Sequence, residues 1–446
     1  MNAAGSKIIV VGGGPVGLTA AHALARAGID FVLLEGRPEI VADAGSGLVL
    51  SAMGLRALAQ LGLLAALSKV STPVDKFKRL DHKGRDIGDT MFFTYFQQSH
   101  GSFPRIFRRR DLLQVLWECL PAEAQSKTHA NKKVSDIKTT ETGVVVSCTD
   151  GTSYEGSVVI GADGAHSVVR KHMQRMALRD QPAAANEERP FLTTYRAFWM
   201  LMPLTSDLKV GDAYETHGPT ITAQFFVGED SAIMGVYEKL DSPTRQPPRY
   251  TAADEKAFME KWGHLPLTLG GALTLGQAYA EKIASGIVNL EEGVVKNWSW
   301  GGRMVLVGDA AHKFTPSTGA GCNNGIIDVV ALANQLNRVF SSSSGVPPRT
   351  RLATAFKEYQ EERFDVVTAS CGISNHTTAM ATWSNFITKF LDLYVFGSKR
   401  IQKFFINQGV GTTAKAPIFD YIEGDEEIVG SVPWVHAIPA RTQTAC

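Results

Sequence analysis

The chain has 446 residues, of which 44% are hydrophobic and 20% are charged, and its formal net charge is +1. This length can bury a large core and predicts more than one domain, and the near-zero net charge argues against nucleic acid as the main partner. The five cysteines are scattered, without CxxC pairs or histidines at zinc-like spacing, so we predict no metal site and a reduced compartment. The N-terminal layout is not that of a signal peptide and no run of about 18 apolar residues occurs, so we expect neither a leader nor a membrane span.

The first predicted unit is a strand, a glycine-rich turn, a helix and a second strand, in KIIVVGGGPVGLTAAHALARAGIDFVLLE. Apolar β-branched residues from Ile8 to Val11 are typical of a strand buried in a parallel sheet. Gly12, Gly14 and Gly17 match GxGxxG, which permits a tight turn, close approach of a pyrophosphate and close packing of helix on strand. Glu35 ends the second strand, where an acid can accept hydrogen bonds from an adenosine ribose. The unit predicts a dinucleotide site and by itself fits both NAD and FAD.

Two later stretches also read as a buried strand followed by an acid and glycines. SVVIGADGAHSVVRKHM places Asp163 and Gly164 after its strand, and VLVGDAAHKFTPSTGAGCNNGIID places Asp309 after its strand. Asp163 has an alternative role as the cap of the following helix. His312 has no partner visible in the sequence, so we expect it to be structural.

Between about residues 175 and 290 the pattern changes to alternating strands, which predict an antiparallel sheet with one face buried and one face lining a pocket. Its aromatic residues fit a bulky apolar substrate, although an ordinary core would contain them too. Arg196 is a cation within an apolar strand, and a buried charge is costly unless it is paired or used. It could form a structural salt bridge, or it could polarise a substrate oxygen with Asp43 as its acid/base partner. Arg196 and Asp43 are therefore our candidate catalytic residues. The aromatic residues are Tyr195, Phe198, Trp199, Phe225, Phe226 and Tyr237.

From about Pro347 the spacing of apolar residues predicts helices. The segment NFITKFLDLYVFGSKRIQKFF, residues 385–405, mixes aromatic residues with lysines and an arginine. We interpret it as an amphipathic helix packed on the core, with a membrane-surface helix as the alternative.

Together, the GxGxxG unit, the GADG stretch and the GDAAH stretch resemble the single-component FAD-dependent monooxygenases, the family of p-hydroxybenzoate hydroxylase and its fungal epoxidase relatives. The resemblance covers roughly the first 170 residues and residues 290–365. It implies an α/β fold in which a Rossmann-like FAD-binding domain of the glutathione reductase type carries an inserted antiparallel substrate sheet and C-terminal helices. The implied FAD-binding parts are residues 1–75, 101–174 and 291–345, the substrate parts are 76–100 and 175–290, and a helical region and tail follow at 346–446.

The resemblance also implies a role for each matched position. Gly12, Gly14 and Gly17 would hold the FAD pyrophosphate and Glu35 the adenosine ribose, while Asp163 and Gly164 would lie near the pyrophosphate and assist use of the nicotinamide cofactor. Asp309 would bind the ribityl chain, with Gly308 allowing close approach, and Pro316, Gly319 and Gly321 would bring backbone to the flavin. Arg109 would face the flavin, although its neighbours Arg108 and Arg110 leave open which of the three arginines does so. The sequence departs from the family at Ala320 and at Cys322-Asn323-Asn324, which we expect to bear on substrate choice, as does the polar stretch 42–51.

The implied activity is that of an FAD- and NAD(P)H-dependent monooxygenase in which O2 adds at the flavin C4a carbon and the hydroperoxide transfers one oxygen atom. The expected substrate is a bulky apolar aromatic, indole or prenylated natural product, which would be epoxidised or hydroxylated. No second GxGxxG unit is found, which argues against a separate NADPH domain. We expect a cytoplasmic monomer or homodimer, with the C-terminal helices as the place for any peripheral membrane contact. The alternatives are an FAD-dependent dehydrogenase or oxidase, and a non-catalytic flavin-fold protein that binds a lipidated partner.

Overall fold

The computed structural model describes residues 6–42 and 47–441. Asp43, one of the two candidate catalytic residues, lies outside the described residues. The strands are β1 (Ile8–Val11), β2 (Phe31–Leu34), β3 (Gly47–Leu50), β4 (Ser71–Pro73), β5 (Phe77–Asp81), β6 (Asp86–Thr90), β7 (Arg105–Arg108), β8 (Thr128–His129), β9 (Val134–Thr139), β10 (Val144–Cys148), β11 (Ser153–Gly156), β12 (Val158–Gly161), β13 (Leu192–Pro203), β14 (Ala213–His217), β15 (Ile221–Val227), β16 (Ser231–Thr244), β17 (Ala284–Val294), β18 (Ser299–Trp300), β19 (Met304–Leu306) and β20 (His312–Lys313). The α-helices are α1 (Pro15–Arg26), α2 (Ala52–Gln60), α3 (Leu64–Lys69), α4 (Phe92–His100), α5 (Arg109–Glu118), α6 (Ala122–Ser126), α7 (Val168–Asp180), α8 (Ala252–Trp262), α9 (Leu275–Ala280), α10 (Ala320–Ser341), α11 (Arg349–Ala381), α12 (Phe386–Phe390) and α13 (Lys399–Ala414), with a π-helical turn at Leu391–Val395 after α12.

A six-stranded sheet in the order β18-β19-β12-β1-β2-β8 forms the first layer. Its strands pair in parallel except for β18, which is antiparallel to β19. All residues of β1, β2, β12 and β19 are buried, because helices cover a parallel sheet on both faces. The strand and helix that the sequence predicts around GxGxxG are confirmed as β1 and α1.

An eight-stranded sheet in the order β20-β17-β13-β16-β15-β14-β5-β6 forms the second layer. Its pairs are antiparallel apart from β14 with β5. One face packs on α8 and α9 around buried side chains that include Phe198, Met200 and Phe258. The antiparallel sheet expected in the middle of the chain is therefore present, and it recruits β5 and β6 from the first hundred residues. The domain boundaries themselves stay a prediction, with which these sheet memberships are consistent.

The two layers meet where the chain returns to the six-stranded sheet. After β19, a few residues lead to β20, which pairs with β17 at the edge of the larger sheet. A cavity lies between the carboxyl ends of the parallel strands and the free face of the antiparallel sheet. Within the described part of the chain, no helix has the length and hydropathy needed to cross a membrane.

Candidate active site

Four sequence motifs that are far apart in the chain meet at one edge of the six-stranded sheet. The neighbouring strands β19, β12, β1 and β2 are parallel, so their carboxyl ends lie side by side. Asp309, Asp163, Gly12 and Glu35 each lie within three residues of the end of one of these strands. Ligands of open α/β sheets bind at this edge. The return of the chain at Asp309 thus completes a site that began at Gly12.

The glycines of the first loop have different structural tasks. A Cβ on Gly12, whose φ is +106°, would lie 2.4 Å from the Ala162 carbonyl oxygen, and a Cβ on Gly17 would lie 1.9 Å from the Gly12 carbonyl oxygen. Both glycines are therefore required by packing. Gly14 faces open space, since the nearest atom to its Cβ would be Arg109 Nη2 at 3.9 Å. Gly14 is also the N-cap of α1 and supplies no side-chain cap, which leaves amides at this helix end for an anion.

Glu35 holds the glycine loop in place. Its Oε2 accepts a hydrogen bond from the Gly13 amide at 2.6 Å, and its Oε1 accepts one from the Arg37 amide at 2.8 Å. The carboxylate therefore lies at the end of β2 beside the loop, where the sequence predicted it. Contact with a ribose stays a prediction.

Asp163 caps α7, as the alternative interpretation proposed. Its Oδ2 accepts hydrogen bonds from the amides of Val168 at 2.6 Å and Val169 at 3.1 Å. Burial raises the pKa of the Asp163 carboxyl, although Ser167 and these amides oppose the rise. Its second oxygen is buried without a hydrogen-bond partner among the described residues, so this carboxyl retains an unused polar atom. Gly164, at a φ of +75°, lines the cavity.

Two opposite charges, Arg109 and Asp309, line the same cavity. The structure decides the register of the arginine triplet: Arg108 forms a salt bridge with Asp111 at 3.3 Å, Arg110 is exposed, and Arg109 faces the cavity. Neither the Arg109 guanidinium nor the Asp309 carboxylate makes a hydrogen bond or salt bridge with another described residue. Both charges are therefore available to a ligand.

Glycines also bring the backbone close to this part of the cavity. Gly308 has a φ of +59°, and a Cβ there would lie 3.1 Å from the Val16 side chain. Gly319, with a φ of +64°, is the N-cap of α10 and provides no side-chain cap. Together with Pro316 and Gly321 it lines the cavity, so the start of a second helix also points there.

The unusual CNN sequence has a mainly structural role. Cys322 lines the cavity, and burial raises the pKa of its thiol to about 12. Asn323 instead accepts hydrogen bonds from the Ser51 amide at 2.9 Å and hydroxyl at 3.0 Å. Asn324 accepts one from Arg363 at 2.8 Å. Of these three residues only Cys322 lines the cavity, because both asparagines fasten α10 to its neighbours. A bearing of this stretch on substrate choice stays a prediction.

The cavity has a volume of about 370 Å³ and is mainly apolar. Because side chains alternate across a strand, only part of the predicted aromatic set reaches it. Trp199, Phe226 and Tyr237 line the cavity, while Phe198 and Phe225 lie in the core on the opposite face. Other large apolar residues of the wall include Phe77, Phe93, Ile106, Ile233, Met234, Val288, Leu290 and Phe314.

The structure corrects the catalytic prediction for Arg196. Ala197 and Trp199 of β13 face the cavity, so Arg196 points to the other side of the sheet. There its Nε donates to Glu238 Oε2 at 2.7 Å, and its guanidinium lies over Phe258. The salt bridge, rather than contact with substrate, is the alternative that the geometry supports.

A buried polar chain leads away from the cavity, and the sequence analysis missed it. Tyr237 donates to Gln224 Oε1 at 3.1 Å, and Gln224 Nε2 donates to Glu215 at 2.9 Å. His217 Nε2 lies 2.8 Å from Glu215, and its Nδ1 lies 2.9 Å from Asp392. The signal was present in β14, AYETH, where Glu215 and His217 are polar residues two apart in a buried strand.

The charges of this chain stabilise one another. Burial alone would lower the pKa of His217, but Asp392 and Glu215 outweigh burial and raise it to about 9. Arg79 Nη2 lies 2.5 Å from Asp392 Oδ1. The pKa values of both carboxyls are lowered against the effect of burial, chiefly by His217. Two anions and two cations therefore balance inside the protein.

His312 has the structural role that the sequence predicted. It is fully buried, and its Nε2 lies 2.5 Å from Asp328 Oδ2. Asp328 Oδ2 also accepts from the Gly308 amide at 3.0 Å, and Oδ1 accepts from Arg363 Nε at 3.0 Å. This network fixes the turn that presents Asp309.

The groups at this edge fit FAD. Uncapped amides at the start of α1, beside the cationic Arg109, suit a diphosphate. The carboxylate of Asp309 suits hydroxyl donors of a sugar chain, and the open space over Gly14 admits a ligand next to the backbone. The apolar wall opposite suits an aromatic ring system.

Comparison with known proteins identifies the family. The family model described as FAD binding domain matches residues 6–189 and 208–371. The chain belongs to this family. FAD-dependent monooxygenase DEP2 of Alternaria brassicicola is 30% identical over 97% of this chain and 82% of its own length. FAD-dependent monooxygenase verC1 of Penicillium polonicum is 33% identical over 88% of this chain, which spans only 49% of verC1. The chain is an FAD-dependent monooxygenase, which confirms the resemblance and the enzyme class inferred from the sequence.

Two solved structures have folds similar to that of this monooxygenase. HpxO from Klebsiella pneumoniae, complexed with FAD and uric acid, has a TM-score of 0.71 at 20% identity, covering 92% of this chain and 96% of that one. A salicylate hydroxylase substrate complex has a TM-score of 0.67 at 18% identity, covering 92% and 97%. These neighbours confirm the α/β fold.

Proposed function

We propose that this chain uses FAD, NAD(P)H and O2 to insert one oxygen atom into a bulky, mainly apolar natural product by hydroxylation or epoxidation. One observation carries the proposal: a single cavity has dinucleotide-type groups on one side and an aromatic wall on the other. Aromatic, indole and prenylated compounds match that wall. The similar fungal proteins named FAD-dependent monooxygenases support the reaction class.

When bound, FAD supplies the transfer of electrons from NAD(P)H and the activation of O2. The protein has to bind it, exclude water and orient the substrate. We assign the binding to the residues that the motifs identified. Gly12, Gly14 and Gly17 receive the pyrophosphate, with Asp163 and Gly164 beside it, and Glu35 receives the adenosine ribose. Gly308 and Asp309 receive the ribityl chain. Arg109 faces the flavin, and Pro316, Gly319 and Gly321 bring the start of α10 to it.

The polar chain gives the cavity a defined hydrogen-bonding character. A carboxylate only accepts hydrogen bonds, so Glu215 fixes the amide nitrogen of Gln224 toward itself. The amide oxygen of Gln224 is then the acceptor for the Tyr237 hydroxyl, at 3.1 Å. The Tyr237 oxygen, having donated its proton, is left as an acceptor. We propose that it orients a substrate through an O–H or N–H donor, such as a phenol or an indole.

The cofactor assignment is tested by replacing Asp309. We expect Asp309→Ala to lower the affinity for FAD at least about tenfold, because a charge-assisted hydrogen bond contributes about 1.5–3 kcal/mol. Asp365→Ala, which removes an exposed acid on α11, is the matched control and should bind FAD as the wild type does. Full retention of flavin by Asp309→Ala would contradict the assignment.

The reaction is tested with isotopically labelled O2 and a panel of indoles and prenylated aromatics. A monooxygenase consumes NAD(P)H and O2 with the substrate and places one labelled atom in the product. A dehydrogenase or oxidase would give an oxidised product without the label. A non-catalytic flavin-fold protein would purify without flavin absorbance, so the three readings are distinguished.

A further inference from the structure

The C-terminal helices carry a surface that the cavity does not explain. Large apolar side chains of this region are 48 to 81% exposed, whereas the sequence analysis favoured core packing for them. They are Phe386, Ile387, Phe390, Tyr394, Phe404 and Phe405. Exposed cations accompany them at Lys389, Lys399, Arg400 and Lys403. We call these ten residues the C-terminal surface.

The aromatic side chains of this surface contact one another in two clusters. Phe386, Phe390 and Tyr394 follow one another at intervals of four residues, and the rings of Phe390 and Tyr394 are 5.3 Å apart. Phe405 lies 5.1 Å from Phe396 and 5.7 Å from Phe404. The aromatic rings therefore form two clusters, one along α12 and the π-helical turn and one at α13.

Only one face of α13 packs on the protein. Gln402, Ile406 and Val410 are buried at intervals of four residues. Arg400, Lys403 and Phe404 are exposed and are spaced by three and four residues, so they share the outer face. The helix thus presents apolar and cationic side chains together to the solvent.

The positive charge of the C-terminal surface indicates which kind of partner it binds. Asp392 is the only acidic residue between residues 385 and 408, and it is buried. None of the four cations forms a salt bridge within the described residues. A second copy docking through the same surface would bring like charges together. A helix face that combines aromatic and aliphatic residues with Lys and Arg suits the headgroup region of an anionic bilayer.

We propose that the C-terminal surface docks this monooxygenase on an anionic lipid bilayer without spanning it. The surface adjoins the wall of the cavity. The Met91 amide donates to Gln402 Oε1 at 2.8 Å, and α4, which begins at the next residue, provides Phe93 to the cavity. An apolar substrate dissolved in lipid would thus be close to its site, a consequence that rests on the proposed function, whereas the docking itself does not.

The test is co-sedimentation of the FAD-loaded protein with vesicles of phosphatidylcholine alone, or of phosphatidylcholine and phosphatidylserine in equal parts. We expect binding to the anionic vesicles and weak binding to the neutral ones. Each cation contributes about fivefold to partitioning, so the triple variant Lys399→Gln/Arg400→Gln/Lys403→Gln should lose about a hundredfold. The control Lys138→Gln/Lys171→Gln/Lys256→Gln removes three exposed cations from other surfaces and should bind as the wild type does.

A second variant tests the apolar part. Phe386→Ser/Phe390→Ser should lower partitioning at least about tenfold, with flavin content and circular dichroism unchanged because both rings are exposed. Absence of wild-type binding to anionic vesicles would overturn the proposal. Equal loss in the control variant would overturn it too, since it would show non-specific charge attraction. Self-association that Phe386→Ser/Phe390→Ser abolishes, in place of vesicle binding, would assign the surface to a second copy.

Discussion

Replacement of His217 by glutamine should destabilise the protein in a pH-dependent way. In the wild type, the imidazole lies between Glu215 and Asp392, at 2.8 and 2.9 Å. Glutamine retains hydrogen-bonding capacity but carries no charge. His217→Gln therefore leaves two buried carboxylates with Arg79 as the remaining cation of this chain.

Two arguments give the magnitude. A pKa raised from 6.5 to about 9 corresponds to about 3.5 kcal/mol, at about 1.4 kcal/mol per pKa unit. Removal of one partner from a buried ion pair costs about 3–5 kcal/mol. We therefore expect His217→Gln to lower the free energy of unfolding by about 3 kcal/mol at pH 6.5.

The sign of the pH dependence follows from proton binding. Between pH 6.5 and 9 the folded protein retains the proton on His217 and the unfolded chain has lost it. Stability from this residue is therefore fully present below pH 6.5 and is lost as the pH rises through about 9, at up to about 1.4 kcal/mol per pH unit. The buried residues His22 and His100 have lowered pKa values because of burial, so the pH dependence of stability that they cause lies below pH 6.5.

The assay is the melting temperature of wild type and His217→Gln, measured by circular dichroism from pH 6 to pH 9.5. The variant should melt lower at pH 6.5, and the two curves should converge toward pH 9. His376→Gln, which replaces an exposed histidine on α11, should follow the wild type throughout. A constant difference between the His217 variant and the wild type across the whole range would refute the assigned charge of His217.

Two further outcomes test the loop and the corrected arginine. Gly17→Ala places a methyl group 1.9 Å from the Gly12 carbonyl oxygen and should destabilise the apoprotein by at least about 1–3 kcal/mol. Gly14→Ala meets no atom closer than 3.9 Å, so this variant should fold normally but bind FAD more weakly. Equal melting temperatures and equal FAD titrations of the two variants would contradict these different roles. Arg196→Ala should lower the free energy of unfolding by about 1 kcal/mol, since Glu238 retains its salt bridge with Lys261 at 2.7 Å. FAD content and turnover should stay within about twofold of the wild type. Loss of product at an unchanged melting temperature would instead support a catalytic role for Arg196.

The sequence alone determined the cofactor edge of the site. A run of β-branched residues identifies a buried strand, and a glycine at a fixed place after it identifies a turn, because both depend on the local backbone. Gly12, Gly17 and Glu35 stand where this reasoning placed them. The presence of an antiparallel sheet was equally local, since strand alternation has a period of two residues.

Only the tertiary structure decided which side of that sheet faces the cavity. Because side chains alternate along a strand, Arg196 and Ala197 must lie on opposite faces of the sheet. The alternation does not show which face lines the cavity and which face packs on α8. The polar chain was hidden for a related reason, since His217 and Asp392 are 175 residues apart and only packing brings them together. The C-terminal surface likewise required the fold, because an amphipathic pattern predicts two faces and does not state which of them the protein covers.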